Sequence, residues 1–129
     1  MNSRNSGRDL LEIDEIRGIR ETWAGEPIAE AADFLAQEPV EGARSADFEV
    51  EAQVRAHADP VASTAHLVWV LDDEAETPGA LRLETVVRLH EKLRGVAPGQ
   101  TMVIYQGTRV LGQSTIARAY SLDRADITA

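Results

Sequence analysis

Between Phe48 and Ala56 the side chains change character at every step. Phe48, Val50, Ala52, Val54 and Ala56 are apolar, while Glu49, Glu51, Gln53 and Arg55 between them are polar. A helix would scatter both sets around its circumference. An extended chain puts each set on its own face, so this stretch reads as a half-buried strand. Such a strand needs partners to hide its apolar side, and the residues that follow offer them. Pro60 marks a bend, and a second strand spans about 62–71 with Leu67, Trp69 and Leu71 on one side. The acidic link DDEAETPG ends in a Pro-Gly turn signal. The third strand is ALRLETVVRLH, where Leu81, Leu83, Thr85, Val87 and Leu89 alternate with Arg82, Glu84, Val86, Arg88 and His90.

The stretch GVAPGQTMVIYQGTRVLG, residues 95–112, places two short apolar runs between glycines. Met102 and Ile104 alternate with Val103 and Tyr105, Gln106-Gly107-Thr108 is a turn, and Val110-Leu111 begins a return strand continued by STIARAY. The N-terminal part is ambiguous. Ile13, Ile16 and Ile19 have near-helical spacing interrupted by Gly18, whereas Ile19, Glu21 and Trp23 alternate. The pattern predicts a short helical turn near 8–14, then a strand over about 15–23 ended by Gly25 and Pro27. Residues 26–46 are rich in alanine and glutamate, with Ile28, Ala31, Ala32 and Leu35 along one helical face. They predict a helix over 28–37 that Pro39 and Gly42 break, partial disorder being the alternative. Six short strands with turn residues between them predict an all-β chain, a six-stranded β-barrel with a short N-terminal segment and one short helix, rather than a βαβ sheet.

Composition narrows the chemistry. The chain of 129 residues has no cysteine, which excludes disulfides, a cysteine nucleophile and thiolate metal sites within it. The N-terminal residues carry no apolar core of a signal peptide, and the longest apolar run, Leu67 to Leu71, is far short of the roughly 20 residues of a membrane helix. A soluble, cytoplasmic protein without membrane contact is expected. His57, His66 and His90 share no ligand spacing, so no metal site is expected. Asp72-Asp73-Glu74 reads as a solvated hairpin tip rather than a calcium loop. Ser63-Thr64 and Ser114-Thr115 lie within strands rather than on a nucleophile elbow. Pro98 removes a donor from the Gly95–Gly99 segment, the opposite of what a phosphate nest needs. No catalytic residue is expected.

The net charge of −9, with 22 acids against 13 bases, argues against broad nucleic-acid binding. The acids nevertheless crowd 26–51 and 72–77, while 82–118 carries six bases against Glu84 and Glu91. Arg82 and Arg88 project from one strand face, Lys92 and Arg94 flank the next turn, Arg109 sits at the hairpin, and Arg55 and His57 end the first clear strand. Arginine forks match phosphate oxygens and stack on bases, so these residues are candidate RNA contacts. Solvated positions paired with nearby acids are the alternative.

The 95–112 stretch resembles the C-terminal barrel of bacterial tRNA-specific 2-thiouridylases, in which a Pro-Gly-Gln segment leads into a strand, a tyrosine-x-glycine turn and a Val-Leu-Gly return. LLEIDEIRGIRETWAGEP is similar to the family's central-domain stretch, and VEAQVRAHADPVAST to its next barrel strand. The resemblance covers most of 8–118. It implies a barrel similar to domain II of translation elongation factors. It also implies that Gly95, Pro98, Gly99, Gln100, Tyr105, Gly107 and Gly112 shape the fold, and that 1–25 is a remnant of a central-domain-like segment. Residues 26–46 would then be a helical or loop insertion longer than the family's connection, 47–120 the barrel, and 121–129 a tail.

The departures are as informative. The family's S-G-G-x-D-S pyrophosphatase loop and its cysteine pair are missing, and Gly112 is followed by Gln113-Ser114 where the family's return strand carries further glycines. The resemblance therefore implies a non-catalytic barrel that contacts tRNA, with ATP needed only by a catalytic domain outside these residues. The chain would be either the C-terminal piece of such an enzyme or a free-standing relative that works with a separate catalytic domain or partner enzyme. The rival expectation is an acidic interaction module that docks on a partner enzyme and binds no nucleic acid.

Overall fold

The computed structural model describes residues 12–54 and 59–121, so Arg55 and His57 lie outside the described residues. The described chain runs β1 (Ile13–Trp23), α1 (Ala29–Leu35), β2 (Phe48–Gln53), β3 (Val61–Leu71), β4 (Leu81–Leu93), β5 (Thr101–Gln106) and β6 (Arg109–Tyr120). The six strands close into a barrel in the order β1-β4-β3-β2-β5-β6, with β6 returning to β1 and every pairing antiparallel. Closure removes the unpaired strand edges at which other chains could add.

A barrel of so few strands has a narrow lumen, so inward positions must mix large and small side chains. Ile16, Leu67, Val87, Met102, Leu111 and Ile116 fill it, and Ala52, Ala65, Ser63 and Ser114 keep it from overfilling. Gly18 is part of the same fit: a Cβ there would stand 2.6 Å from the Cβ of Ser114. The seven residues of α1 cover one end. Ile28, Ala31 and Phe34 are buried, and the Phe34 ring stacks on Trp69 of β3 at 6.4 Å. So short a helix, with no side-chain cap, is held by this packing rather than by propensity. Residues 42–46 then run beside β3 beyond its pairing with β2. Gly42 and Ser45 donate backbone hydrogen bonds to Trp69 and Leu67, and Arg44 bridges Val68.

The N-terminal part corrects two expectations. Residues 13 and 14, expected within a helical turn, already belong to β1, and residues 8–11 lie outside the described ones. β1 is also a stave of the barrel, paired with both β4 and β6, and not part of a segment ahead of it. The helical-looking spacing has a physical source in bulges. The register with β4 shifts between Ile13 and Glu15, which keeps Ile13 and Ile16 on one face three residues apart. A second irregularity sets Ile19 to Thr22 against only Thr115 to Gln113. It is centred on Arg20, whose φ of 56° is the left-handed conformation usual for a bulge glycine.

The turns of 95–112 follow residue chemistry. Gln100 N–H bonds to Ala97 C=O across Pro98 and Gly99, with Gly99 at φ 91°, the pattern of a type II turn. Gln100 also accepts Ala97 N–H through its side chain, and its carbonyl bonds Ile116 of β6. Gly107, at φ 63°, holds the first of two turn positions between paired Gln106 and Arg109, as primed hairpins require. At Gly112 a Cβ would lie 2.4 Å from the carbonyl oxygen of Thr22, so β1 and β6 approach there only because the residue is glycine. The Tyr105 hydroxyl donates to Gln53 on β2.

Candidate functional site

Strand pairing assembles a polar surface that no single segment contains. On the outer face of β4, Arg82, Glu84, Val86 and Arg88 succeed one another. Register sets Arg88 opposite both Thr64 of β3 and Glu15 of β1, and Val86 opposite His66 and Arg17. Arg17 in turn lies opposite Arg118 of β6. The run of residues 42–46 beside β3 adds Arg44. One wall, built from β3, β4, β1 and β6, therefore collects five arginines and a histidine.

The wall's acids are arranged unlike its bases. The Glu84 side chain is 0 % exposed although it lies on the outside of the barrel, because guanidinium groups cover it. Arg82 Nη2 lies 2.9 Å and Arg118 Nη2 3.1 Å from its Oε2, and Arg17 Nη1 lies 3.6 Å from Oε1. Hydrogen bonding to Glu84 pushes the Arg82 guanidinium pKa further up. Glu15, 9 % exposed, meets Arg17 Nε at 3.3 Å and Arg88 Nε at 3.5 Å. The cations stay in water: side-chain exposure is 28 % at Arg82, 31 % at Arg17, 49 % at Arg118, 54 % at Arg44 and 63 % at Arg88. Arg17 also lies over the Tyr120 ring, 5.9 Å from its centroid. The carboxylates of Glu84 and Glu15 thus act as buried rivets, whereas Asp47, 56 % exposed, and Glu49, 72 % exposed, stay in water beside Arg44 and His90.

Between Arg17, Arg44, Arg88, Thr64 and His66 the wall dips into a pocket of about 280 Å³ that Glu15 and Asp47 also line. Arg44 pairs with Asp47 at 2.5 Å, and His66 Nδ1 lies 3.7 Å from the same carboxylate. Burial, reinforced by Arg44 and Arg17, pushes the His66 pKa down despite Asp47 and Glu15. A second cleft, of about 360 Å³, lies between Arg20, Arg82, Leu83 and the acids Glu21, Asp72 and Glu74. Its charge is of the wrong sign for an anion.

Of the cations expected from sequence, Arg82 and Arg88 lie together on this wall. Lys92 and Arg94 are exposed at the end of β4 and in the turn beyond. Arg109 is at the β5–β6 hairpin, where its guanidinium donates to the Glu26 carbonyl at 2.6 Å. Sequence reasoning missed Arg17, Arg44, Arg118 and His66. The alternation of Glu15 with Arg17 was a signal for one of them, but its meaning depends on a register with strands 70 and 100 residues away. His90 lies outside this cluster, its Nε2 2.8 Å from Thr64 Oγ1 and 3.8 Å from Glu49. Among the described residues no group of histidines and acids could hold a metal ion, and no helix is long and apolar enough to cross a membrane.

Residues 26–116 match the family model of the aminomethyltransferase β-barrel domain, which leaves β1 outside the matched range. The tRNA-specific 2-thiouridylase MnmA of Arthrobacter sp. (strain FB24) is 53 % identical over 116 residues, 90 % of this chain and 27 % of that protein. That of Kocuria rhizophila is 53 % identical over 112 residues, 87 % of the chain and 26 % of the relative. That of Leifsonia xyli subsp. xyli is 43 % identical over 114 residues, 88 % and 24 % respectively. The chain spans about a quarter of the length of these curated relatives. It is similar to their C-terminal, barrel-bearing region.

Proposed function

The chain belongs to the aminomethyltransferase β-barrel domain family, and from that premise we propose that it is a non-catalytic tRNA-contacting barrel whose outer wall meets the phosphate backbone. The observation that carries this reading is the burial asymmetry of the wall, where the carboxylates of Glu84 and Glu15 are hidden and five guanidinium groups are wet. A chain of net charge −9 repels RNA at long range unless its cations are segregated, and here they are. In this reading the 2-thiouridylation for which the relatives are named, and any ATP it uses, belong to parts beyond the length that this chain covers. The reading places the barrel in the cytoplasm with its tRNA.

The test is binding of bulk bacterial tRNA to the purified chain at low ionic strength. Affinity should fall steeply with added salt, and Arg88→Glu should weaken it by about tenfold, as removal of a cation from a phosphate plus an added repulsion requires. A second reading, a docking module for a partner enzyme, is favoured by an apolar groove of about 140 Å³ between Trp23, Val103 and Val110. No tRNA binding at low salt, with a partner protein retained by the chain and released by Val110→Glu, would establish that reading instead.

A further inference from the structure

We infer that the pocket between Arg17, Arg44, Arg88, Thr64 and His66 seats a single phosphate group, and that its occupation is coupled to protonation of His66. This deepens the tRNA-contacting reading and rests on it for the source of the phosphate, a backbone phosphodiester. The volume, about 280 Å³, is just under the roughly 300 Å³ at which pockets for organic ligands begin. It holds a phosphate and some water but not a stacked nucleoside.

The donors suit an oxyanion. Glu15 engages Arg17 and Arg88 at their Nε atoms, which leaves the outer Nη edge of Arg88 without an ion pair among the described residues. Arg44 gives one Nη to Asp47 and keeps its other donors. Thr64 Oγ1 donates to Glu49 and lies 2.8 Å from His90 Nε2, so the donors toward an anion are the guanidinium groups. Three guanidinium groups face two carboxylates, one of them almost fully buried, so the pocket carries a positive balance before His66 is counted. Planar guanidinium forks bind such oxygens in pairs, more specifically than a point charge would.

His66 supplies the coupling. The groups around it are Arg44 and Asp47 from the segment preceding β2, Glu15 and Arg17 of β1, and Arg88 of β4, with Thr64 on its own strand. Burial and two of these cations disfavour the imidazolium in the empty pocket. An anion placed among them reverses the balance, and linkage then requires binding to strengthen as pH falls through the His66 titration range.

The experiment follows the His66 ring resonance by NMR through a pH titration of the 129-residue chain, with inorganic phosphate or tRNA against chloride of equal ionic strength. Both probes should move the His66 midpoint upward. Arg88→Gln should abolish the movement, and Arg109→Gln, at the hairpin end, should leave it intact. If tRNA binds but His66 does not respond, the pocket is overturned and the arginine wall stands. If phosphate moves His66 and tRNA does not bind, the pocket stands and the RNA reading falls. A midpoint indifferent to both probes, or a shift unchanged in Arg88→Gln, overturns the inference.

Discussion

Glu84 and Glu21 are carboxylates withdrawn from water on the two sides of one barrel wall, and they are treated in opposite ways. Glu84 lies on the outer face under three guanidinium groups, two of which bond its Oε2, while its Oε1 has Arg17 at 3.6 Å and no hydrogen bond among the described residues. Glu21 turns inward beside the bulge at Arg20 and is met only by hydroxyls: Thr85 Oγ1 and Ser114 Oγ both donate to its Oε1, while Oε2 is buried with no hydrogen-bond partner among the described residues. Burial pushes the Glu21 pKa up, and the two hydroxyls only partly offset it. The contrast teaches what a buried acid does in a small barrel. Outside, it gathers cations and fixes their geometry. Beside the bulge, met by hydroxyls rather than cations, it keeps a raised pKa and responds to pH.

Removing Glu84 should do the most damage. Glu84→Ala leaves three guanidinium groups without their common anion, and breaking a buried pair costs about 3–5 kcal/mol. The lower end, about 3 kcal/mol, is expected because all three arginines are partly exposed and can turn to water. Urea denaturation measures it, and an unchanged midpoint would erase the distinction between the two acids. Gly112→Ala sharpens the comparison from the inner side. Its Cβ would lie 2.4 Å from the Thr22 carbonyl oxygen and 3.1 Å from Glu21 Oε2, so overpacking of about 2 kcal/mol should appear in the same assay.

The smallest effect concerns Glu21 itself. With its folded pKa above the reference 4.5, the residue is without penalty only while protonated. Its contribution is therefore fully favourable below the unfolded value and is lost as pH rises through the folded one. Glu21→Gln should stabilise the barrel at pH 7 and make little difference at pH 4. Destabilisation at pH 7 that disappears at pH 4 would mean that the ionised form is the one the fold prefers.

The barrel was legible where alternation is strict. Phe48 to Val54 and Leu83 to Leu89 carry a period of two because nothing interrupts their pairing, and Gly107 wrote its own turn. β1 was harder, since bulges at Glu15 and Arg20 stretch the inward spacing to three and imitate a helix. The wall was legible only by half. Arg82 and Arg88 share a strand and were visible together, but Arg17 and Arg118 become neighbours through a register across 101 positions that no local pattern encodes. Arg44 reaches the wall only because residues 42–46 continue along β3 where β2 does not. The charge surplus of the whole chain does not describe this wall, because composition counts Glu84 and Glu15 while burial hides them.

The central claim is that the wet side of this wall is cationic, and the salt dependence of tRNA binding reports it most directly. Arg88→Gln with Arg118→Gln on the wall should flatten the plot of log affinity against log salt by about 2, roughly 1 for each phosphate no longer neutralised. Arg94→Gln with Arg109→Gln, which removes as much charge away from the wall, should leave the slope unchanged. Equal flattening by the two pairs would show that only net charge matters and would contradict the account.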